Sequence, residues 1–144
     1  MTLTQREQID QIKRELRSYN YYQKVISKME RELTQISTEL NGVRSPSLTE
    51  QSGHGGFNSG AKSDRWYALI KKKNITQNQM RMYKNRLKRL ENMLSLLEGE
   101  ELEIIQELYI QKKSFQKVAI IHSYSVATLY RTVDRIITMR IISR

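Results

Sequence analysis

Several ingredients are scarce in this sequence of 144 residues. It has no cysteine, which excludes disulfides, thiolate metal sites and thiol catalysis. It has one proline and six glycines, and five of those glycines fall within residues 42–64. No apolar run approaches the roughly 20 residues of a membrane-spanning helix, and the first seven residues contain no apolar signal core. We therefore expect a soluble intracellular protein.

Positive charge is plentiful but unevenly distributed. The 25 Lys and Arg residues outnumber the 15 Asp and Glu residues, for a net charge of +10. Residues 66–97 carry eight basic groups and one acidic group, and residues 114–144 carry five and one. Residues 98–113, in contrast, carry two and five. Such a balance favours a polyanionic partner, with nucleic acid first and an anionic membrane surface second.

Apolar spacing predicts one long helix over residues 4–40. Thr4 followed by Glu7 matches a capping box, which is a common start of a helix. Apolar residues recur at steps of three and four, with one extra step of three between Tyr19 and Tyr22, so the helix has a heptad seam with one stammer. The seam consists of Ile9, Ile12, Leu16, Tyr19, Tyr22, Ile26, Met29, Leu33, Ile36 and Leu40.

Residues 42–64 predict a flexible surface loop that joins two helices. Residues 52–60 read SGHGGFNSG, a composition that cannot hold a regular element. A phosphate-binding loop is the alternative, because Gly55 and Gly60 have the required separation. However, Ala61 stands where that motif needs lysine, and no strand precedes the segment.

Neither histidine has the sequence surroundings of a metal or catalytic site. We interpret His54 as a solvated loop residue, since only His122 could join it and no carboxylate cluster surrounds either. The carboxylates are spread along helix faces, whereas acid–base or nucleophilic chemistry needs groups that converge. The sequence therefore predicts no metal, no cofactor and no enzymatic activity.

The most regular pattern predicts a second long helix, over residues 65–97, of about 50 Å. Two heptad columns, which are sets of residues spaced by seven positions, keep the same register along the whole helix. With the first helix, this predicts an antiparallel hairpin that buries both seams, either within one chain or by exchange between two protomers. The columns are Trp66, Lys73, Met80, Leu87 and Leu94, and Leu69, Thr76, Tyr83, Leu90 and Leu97.

Most basic residues of this second helix lie off the seam. They form either a face for a polyanion or a solvated face of a coiled coil. Residues 1–41 have a net charge of only +1 and carry too little acid to neutralise them. The candidates for phosphate contact are Lys84, Arg86, Lys88 and Arg89.

Three short helices are expected at the carboxyl end, over residues 100–111, 115–122 and 126–142. Ser114 and Ser125 are the predicted caps of the second and third of them. Ala119 is small enough to let these two helices approach closely. A helix, a short turn and a second helix are the parts of a helix-turn-helix. The alternative is a three-helix tail with solvated arginines.

The third short helix carries the predicted DNA contacts on its first two turns. Arg131 can donate two hydrogen bonds to a guanine edge, and Val126 or Ala127 can meet a thymine methyl group. Arg135 and Arg140 lie farther along, where phosphate contact is expected. The predicted DNA-binding residues are Lys117, Ser125, Val126, Ala127, Thr128, Tyr130, Arg131 and Arg135.

These segments resemble a known module, the region-four helix-turn-helix of bacterial sigma factors. Residues 101–109 (ELEIIQELY) resemble its first helix. Residues 114–119 (SFQKVA) resemble its S-x-x-x-I-A helix, and residues 125–131 (SVATLYR) its S-x-x-T-V recognition helix. The turn departs from the pattern, because it has His122, Ser123 and Tyr124 where Leu, Gly and Val are usual.

The whole chain resembles the ArpU/RinA-type late-gene activators of phages and mobile elements in Gram-positive bacteria. The resemblance rests on five features: the tyrosine-rich segment 19–24 (YNYYQK), the Asn41-Gly42-Val43 segment that follows the first helix, the glycine loop, the second long helix and the terminal module. It implies a sequence-specific activator of packaging or lysis genes in the bacterial cytoplasm. The seam favours a homodimer. The alternatives are a small terminase-like DNA-packaging component and a helical adaptor that binds RNA polymerase.

Overall fold

The computed structural model describes the backbone of residues 3–42 and 56–143 and the side chains of residues 3–42 and 64–143, and this part of the chain is all-α. The predicted fold class is therefore confirmed. The long helices are α1, Gln5–Arg17, α2, Tyr19–Asn41, and α3, Gly56–Leu94. Within the described ranges, every helix is too short or too polar to cross a bilayer.

The three short helices of the carboxyl end lie where the sequence predicts them. They are α4, Gly99–Ile105, α5, Phe115–His122, and α6, Val126–Ile136. Two of them continue directly into π-helical turns, α4 through Gln106–Ile110 and α6 through Ile137–Ile142.

The chain forms two compact units. Unit 1 consists of Met1–Gln23 and Asn85–Arg144, and unit 2 is Lys24–Lys84. The sequence predicts a helical hairpin and oligomerisation region over residues 1–97 and a helix-turn-helix DNA-binding domain over residues 98–144, and the observed division differs from that boundary. The physical reason is that α1 packs against the π-helical ends of both α4 and α6. The amino-terminal helix therefore belongs to the same unit as the carboxyl-terminal helices.

A break at Ser18 divides the predicted first helix into α1 and α2. The Ser18 Oγ donates a hydrogen bond to the Arg14 carbonyl over 3.0 Å. The Ser18 N–H is shared between the Arg14 and Glu15 carbonyl oxygens, at 3.2 and 3.0 Å. Serine hydroxyls that bond back to the preceding turn bend helices. The prediction of one uninterrupted helix was wrong at this residue, which directly precedes the stammer.

Burial confirms both predicted seams. All ten seam residues of α1 and α2 are buried or half-buried, as are all ten heptad residues of α3 and the turn after it. Leu16 and Leu90 are fully buried, and even the polar Thr76 is 5% exposed. The apolar period therefore decides which face of each helix is covered, and single polar residues within it do not change that face.

The start of α3 corrects the predicted loop. Because α3 begins at Gly56, residues 56–64 are helical, and the expectation that residues 52–60 hold no regular element was wrong for 56–60. Extending an existing long helix needs no new nucleation, so it tolerates glycines that cost about 1 kcal/mol each. The remaining loop prediction, which includes His54 and Gly55, falls on residues 43–55, outside the described residues.

The end of α3 also differs from the prediction. The helix ends at Leu94 and not at Leu97, and Gly99 begins α4. Gly99 has a φ of 60°, in the left-handed region that favours glycine. The chain can therefore turn sharply between the long helix and α4.

Candidate nucleic-acid interface

The inner face of α4 and its π-helical extension is buried within unit 1. Ile104 and Ile105 are 1% and 0% exposed, and Tyr109 is 3% exposed. Burial raises the pKa of Tyr109 to about 12, although the nearby Arg17 guanidinium acts in the opposite direction. That guanidinium lies 5.9 Å from the centroid of the Tyr109 ring. Within unit 1, α1 thus contacts the helix that precedes α5.

The second short helix, α5, begins at its predicted cap. The Ser114 Oγ accepts a hydrogen bond from the Lys117 N–H over 3.1 Å. Val118 and Ala119 are 0% and 2% exposed, so the small side chain of Ala119 lies on the inner face. The Ala119 carbonyl accepts from the Tyr124 N–H over 2.8 Å, which folds the following turn back onto α5.

The turn between α5 and α6 holds Ser123 in the left-handed conformation, with φ 62° and ψ 38°. This is where the resembled pattern has glycine. The neighbours of Ser123 are attached to α4 and its π-helical extension: His122 Nε2 lies 3.3 Å from Glu107 Oε1, and the Tyr124 hydroxyl donates to Glu100 Oε1 over 2.5 Å. The hydrogen bond to Glu100 raises the pKa of Tyr124. Two polar anchors therefore compensate for a turn without glycine.

Replacing Ser123 with valine is expected to lower the free energy of unfolding by about 1–2 kcal/mol, because a β-branched side chain is strained at positive φ. Ser123→Gly removes the strain and is expected to be tolerated. Urea denaturation followed by circular dichroism measures both. Ser143→Val is the matched control, since Ser143 has a φ of −80°. Equal losses at the two serines would contradict the role of the left-handed turn.

The surroundings of His122 correct the expectation that no carboxylates cluster around it. Its Nδ1 lies 3.9 Å from Glu100 Oε2, and its side chain is 7% exposed. Glu103, Glu107 and His122 bring one possible ligand atom each within 4.8 Å of one another, so together they could hold a cation. The signal in the sequence was the spacing of Glu103 and Glu107, which places both on one face of a helix.

The recognition-helix candidate α6 also begins at its predicted cap. The Ser125 Oγ accepts from the Thr128 N–H over 3.1 Å and donates to Thr128 Oγ1 over 2.8 Å. Leu129 and Val133 are fully buried, and Ile136 is 1% exposed, so these residues form the inward face of α6. Ser125 and Thr128, both predicted DNA contacts, bond to each other and shape the end of the helix.

The outward side of α6 presents the other predicted contacts. Ala127, Arg131 and Arg135 are exposed, as is Lys117 on α5. Val126 and Tyr130 are 37% and 49% exposed. The Tyr130 ring stacks on Phe115, with centroids 4.2 Å apart and planes 9° from parallel. One ring face of Tyr130 is therefore covered, and α5 is fixed to the first turns of α6.

The predicted phosphate contacts do not form one group. Arg140 is bound to Glu101 of α4, with Nε 3.0 Å and Nη2 3.4 Å from its carboxylate oxygens. Lys84 lies in unit 2, where its Nζ is 4.0 Å from Glu30 Oε1. On the part of α3 within unit 1, Lys88 and Arg89 are exposed and Arg86 is half-buried.

Sequence reasoning missed the ion-pair cluster that joins α6 to α1. Lys13 Nζ lies 2.6 Å from Asp134 Oδ1, and Arg6 Nη1 lies 2.8 Å from Asp134 Oδ2. Burial alone raises the pKa of Asp134, but the hydrogen bonds and charges of Lys13 and Arg6 outweigh it and lower the pKa overall. The available signal was that Lys13 falls between Ile9 and Leu16 on the buried face of α1.

Acid is expected to remove the stabilising effect of this cluster. The pKa of Asp134 is lowered from 3.8, so its contribution is complete above that value and is lost as pH falls through the lower pKa of the folded state. We expect Asp134→Asn to be less stable than the wild type at neutral pH, with the gap closing as pH falls below 3.8.

Urea midpoints of the two proteins across this pH range measure the gap. Asp64→Asn, at an exposed carboxylate of α3, is the control and should show no such trend. A gap that stays constant into acid would mean that the Asp134 carboxylate does not stabilise the folded state.

Comparison with protein-family models, with curated proteins and with solved structures gives no match for this chain. Its function is therefore inferred from its own residues.

Proposed function

We propose that this chain is a sequence-specific DNA-binding transcription regulator that acts as a homodimer, with α6 as the recognition helix. By its resemblance to the phage activators, its targets would be late packaging or lysis genes, regulated in the bacterial cytoplasm. The observation that carries the proposal is the outward side of α6. Its capped first two turns expose Arg131 and the small apolar residues Val126 and Ala127, and Arg135 is exposed on the next turn, while its apolar side is buried.

The charge of this region supports contact with DNA. Residues 114–144 contain a single acid, Asp134, and two cations of α1 already bind it. The basic side chains exposed on α5 and α6 are Lys117, Arg131 and Arg135. An arginine near the start of a helix in the major groove can read guanine, and those farther along reach phosphates. The arrangement therefore provides both sequence readout and general affinity.

Exposed apolar residues on unit 2 support the proposed dimer. Ile75 and Met82 of α3 are 48% and 42% exposed and are seven residues apart, outside the buried columns. Residues at heptad spacing share one face of a helix, so this pair offers an apolar strip to a second copy. A dimer would present two recognition helices to two half-sites on one duplex.

A selection experiment tests the proposal. Duplexes of about 30 base pairs, with randomised centres, are selected on the immobilised protein, and fluorescence anisotropy then compares selected and unselected duplexes over a salt series. We expect the selected duplex to bind at least about 100-fold more tightly. Equal binding of both duplexes, or no binding at low salt, would contradict the proposal.

Light scattering distinguishes the regulator from the alternatives suggested by the sequence. A dimer that binds one selected duplex fits the regulator. A ring of many subunits fits a small terminase-like component, which couples DNA recognition to ring assembly. A protein that binds RNA polymerase and no duplex fits the helical adaptor.

Basic residues of α3 are expected to contribute contacts that do not depend on DNA sequence. Replacing Lys84, Arg86 and Lys88 with glutamine should weaken binding to selected and unselected duplexes equally. It should also reduce the slope of log K against log salt by up to about 3, because each phosphate contact releases counterions.

The matched control for the α3 variant is glutamine at Lys24, Lys28 and Arg31, three exposed cations of α2. This control removes the same charge from the neighbouring long helix. If both triple variants change the slope equally, the α3 residues make no specific contact. If neither does, the α3 face is solvated.

A further inference from the structure

We propose that Asp134 is a positioning residue that fixes the rotation of α6 about its own axis, so that α1 sets which side chains α6 presents to a DNA groove. This inference rests on the proposed function and extends it to an element far away in sequence. The Arg6–Asp134 hydrogen bond joins residues 128 positions apart.

The first part of the argument is the two-point geometry of the cluster. The two Asp134 oxygens receive different cations, Lys13 Nζ on Oδ1 and Arg6 Nη1 on Oδ2, at 2.6 and 2.8 Å. Arg6 is itself held, since its Nη2 lies 2.8 Å from Asp10 Oδ1. The Arg6 contact is a hydrogen bond, whereas Lys13 forms an ion pair with the other oxygen, so a cation restrains each oxygen of the carboxylate.

The second part is the position of Asp134 relative to the buried side of α6. Leu129, Val133, Ile136 and Ile137 form that side. Asp134 directly follows one of these residues and is only partly exposed, with 31% of its side-chain area accessible. It therefore lies at the edge between the buried and outward sides, where a fixed contact resists rotation most effectively.

The third part is the effect on DNA readout. Arg131 lies three residues before Asp134, within one turn of the same helix, so any rotation at Asp134 moves the Arg131 guanidinium. Two parallel hydrogen bonds to one guanine tolerate only small angular errors. Loss of the cluster should therefore reduce the preference for the selected duplex while leaving general affinity for DNA in place.

The test separates positioning from folding. Removing one partner leaves an unpaired charge, and the Lys13 side chain is only 10% exposed, so single variants at Lys13 or Asp134 can lose stability. The double variant Lys13→Met/Asp134→Leu removes both charges and keeps an apolar contact. We expect its melting temperature to equal that of the wild type. We expect its preference for the selected over the unselected duplex to fall about tenfold.

Two further variants complete the design. Arg6→Gln removes the exposed half of the cluster and should reduce the preference about threefold without a change in melting temperature. Arg14→Met, at an exposed cation of α1, is the control and should leave the preference unchanged. If the double variant does not fold, Arg6→Gln decides the question alone. Wild-type preference in the folded double variant, or in Arg6→Gln as the sole readout, would overturn the positioning role.

Failure of the proposed function would be recognised separately, because the wild type would then bind no duplex or would bind selected and unselected duplexes equally. Hydrogen exchange of the DNA-free protein still tests the cluster. Faster exchange confined to residues 126–142 of the double variant would support the restraint on α6. Unchanged exchange there would overturn it whatever the DNA result.

Discussion

Replacing Leu129 with alanine is expected to lower the free energy of unfolding by about 2–5 kcal/mol, the largest effect on stability that we predict. Leu129 is fully buried and lies one turn after the Ser125 cap. Its side chain is the first inward contact of α6, and truncation would leave a cavity on the inner side of that helix. Closure of the cavity would require α6 to shift toward α5, where the stacked rings of Phe115 and Tyr130 resist it.

Urea denaturation by circular dichroism measures this loss. Ile120→Ala is the matched control, since Ile120 is 79% exposed, and it should change stability by less than about 0.5 kcal/mol. DNA binding gives a second readout, because a loosened α6 should lose preference for the selected duplex before the protein unfolds. A loss at Leu129 no larger than that at Ile120 would contradict the packing described for α6.

Local patterns allowed much of the fold to be predicted. Thr4, Ser114 and Ser125 all cap the helices that they were expected to cap, because a hydroxyl next to free amide groups acts over three residues. The seams were predictable for the same reason, since the helical repeat alone decides which side chains share a face. Such patterns can be recognised in the sequence without knowing which residues pack against the helix.

The break at Ser18 and the start of α3 were not predictable from those patterns. At Ser18 the hydroxyl bonds back to the preceding turn, an alternative that the apolar period does not reveal. At Gly56 the composition favoured a loop, but continuation of a long helix overrode the local propensity. Both outcomes depend on competition between states whose energies differ by about 1 kcal/mol.

The exposure of the outward side chains of α6 was predictable because they are the complement of the inward ones. Once Leu129 and Val133 face the core, Ala127 and Arg131 must face solvent. The ion-pair partners of the charged side chains could not be predicted in this way. The pairing of Arg140 with Glu101, and of Asp134 with Lys13, joins helices that are distant in the sequence and follows no repeat. Only the tertiary contacts of α1 and α4 determine them.

Replacing Arg131 with alanine is expected to reduce affinity for the selected duplex by about 1–3 kcal/mol, the largest effect on recognition that we predict. Arg131 is exposed on the second turn of α6, where a guanidinium can donate to both acceptors of one guanine. Affinity for unselected duplexes should fall much less, because the substitution removes only one of many positive charges that lie near the DNA phosphates. The ratio of the two affinities, measured by fluorescence anisotropy, is therefore the informative quantity.

Two matched variants make the Arg131 experiment decisive. Arg131→Lys keeps the positive charge but lacks the planar guanidinium group that can donate two parallel hydrogen bonds. It should therefore lose most of the preference for the selected duplex, while the salt dependence of binding stays that of the wild type. Arg135→Ala, one turn farther along α6 and also exposed, should weaken binding to both duplexes equally. If Arg131→Ala leaves the preference unchanged and Arg135→Ala abolishes it, base readout lies farther along α6 than proposed. If neither changes the preference, α6 is not the recognition helix.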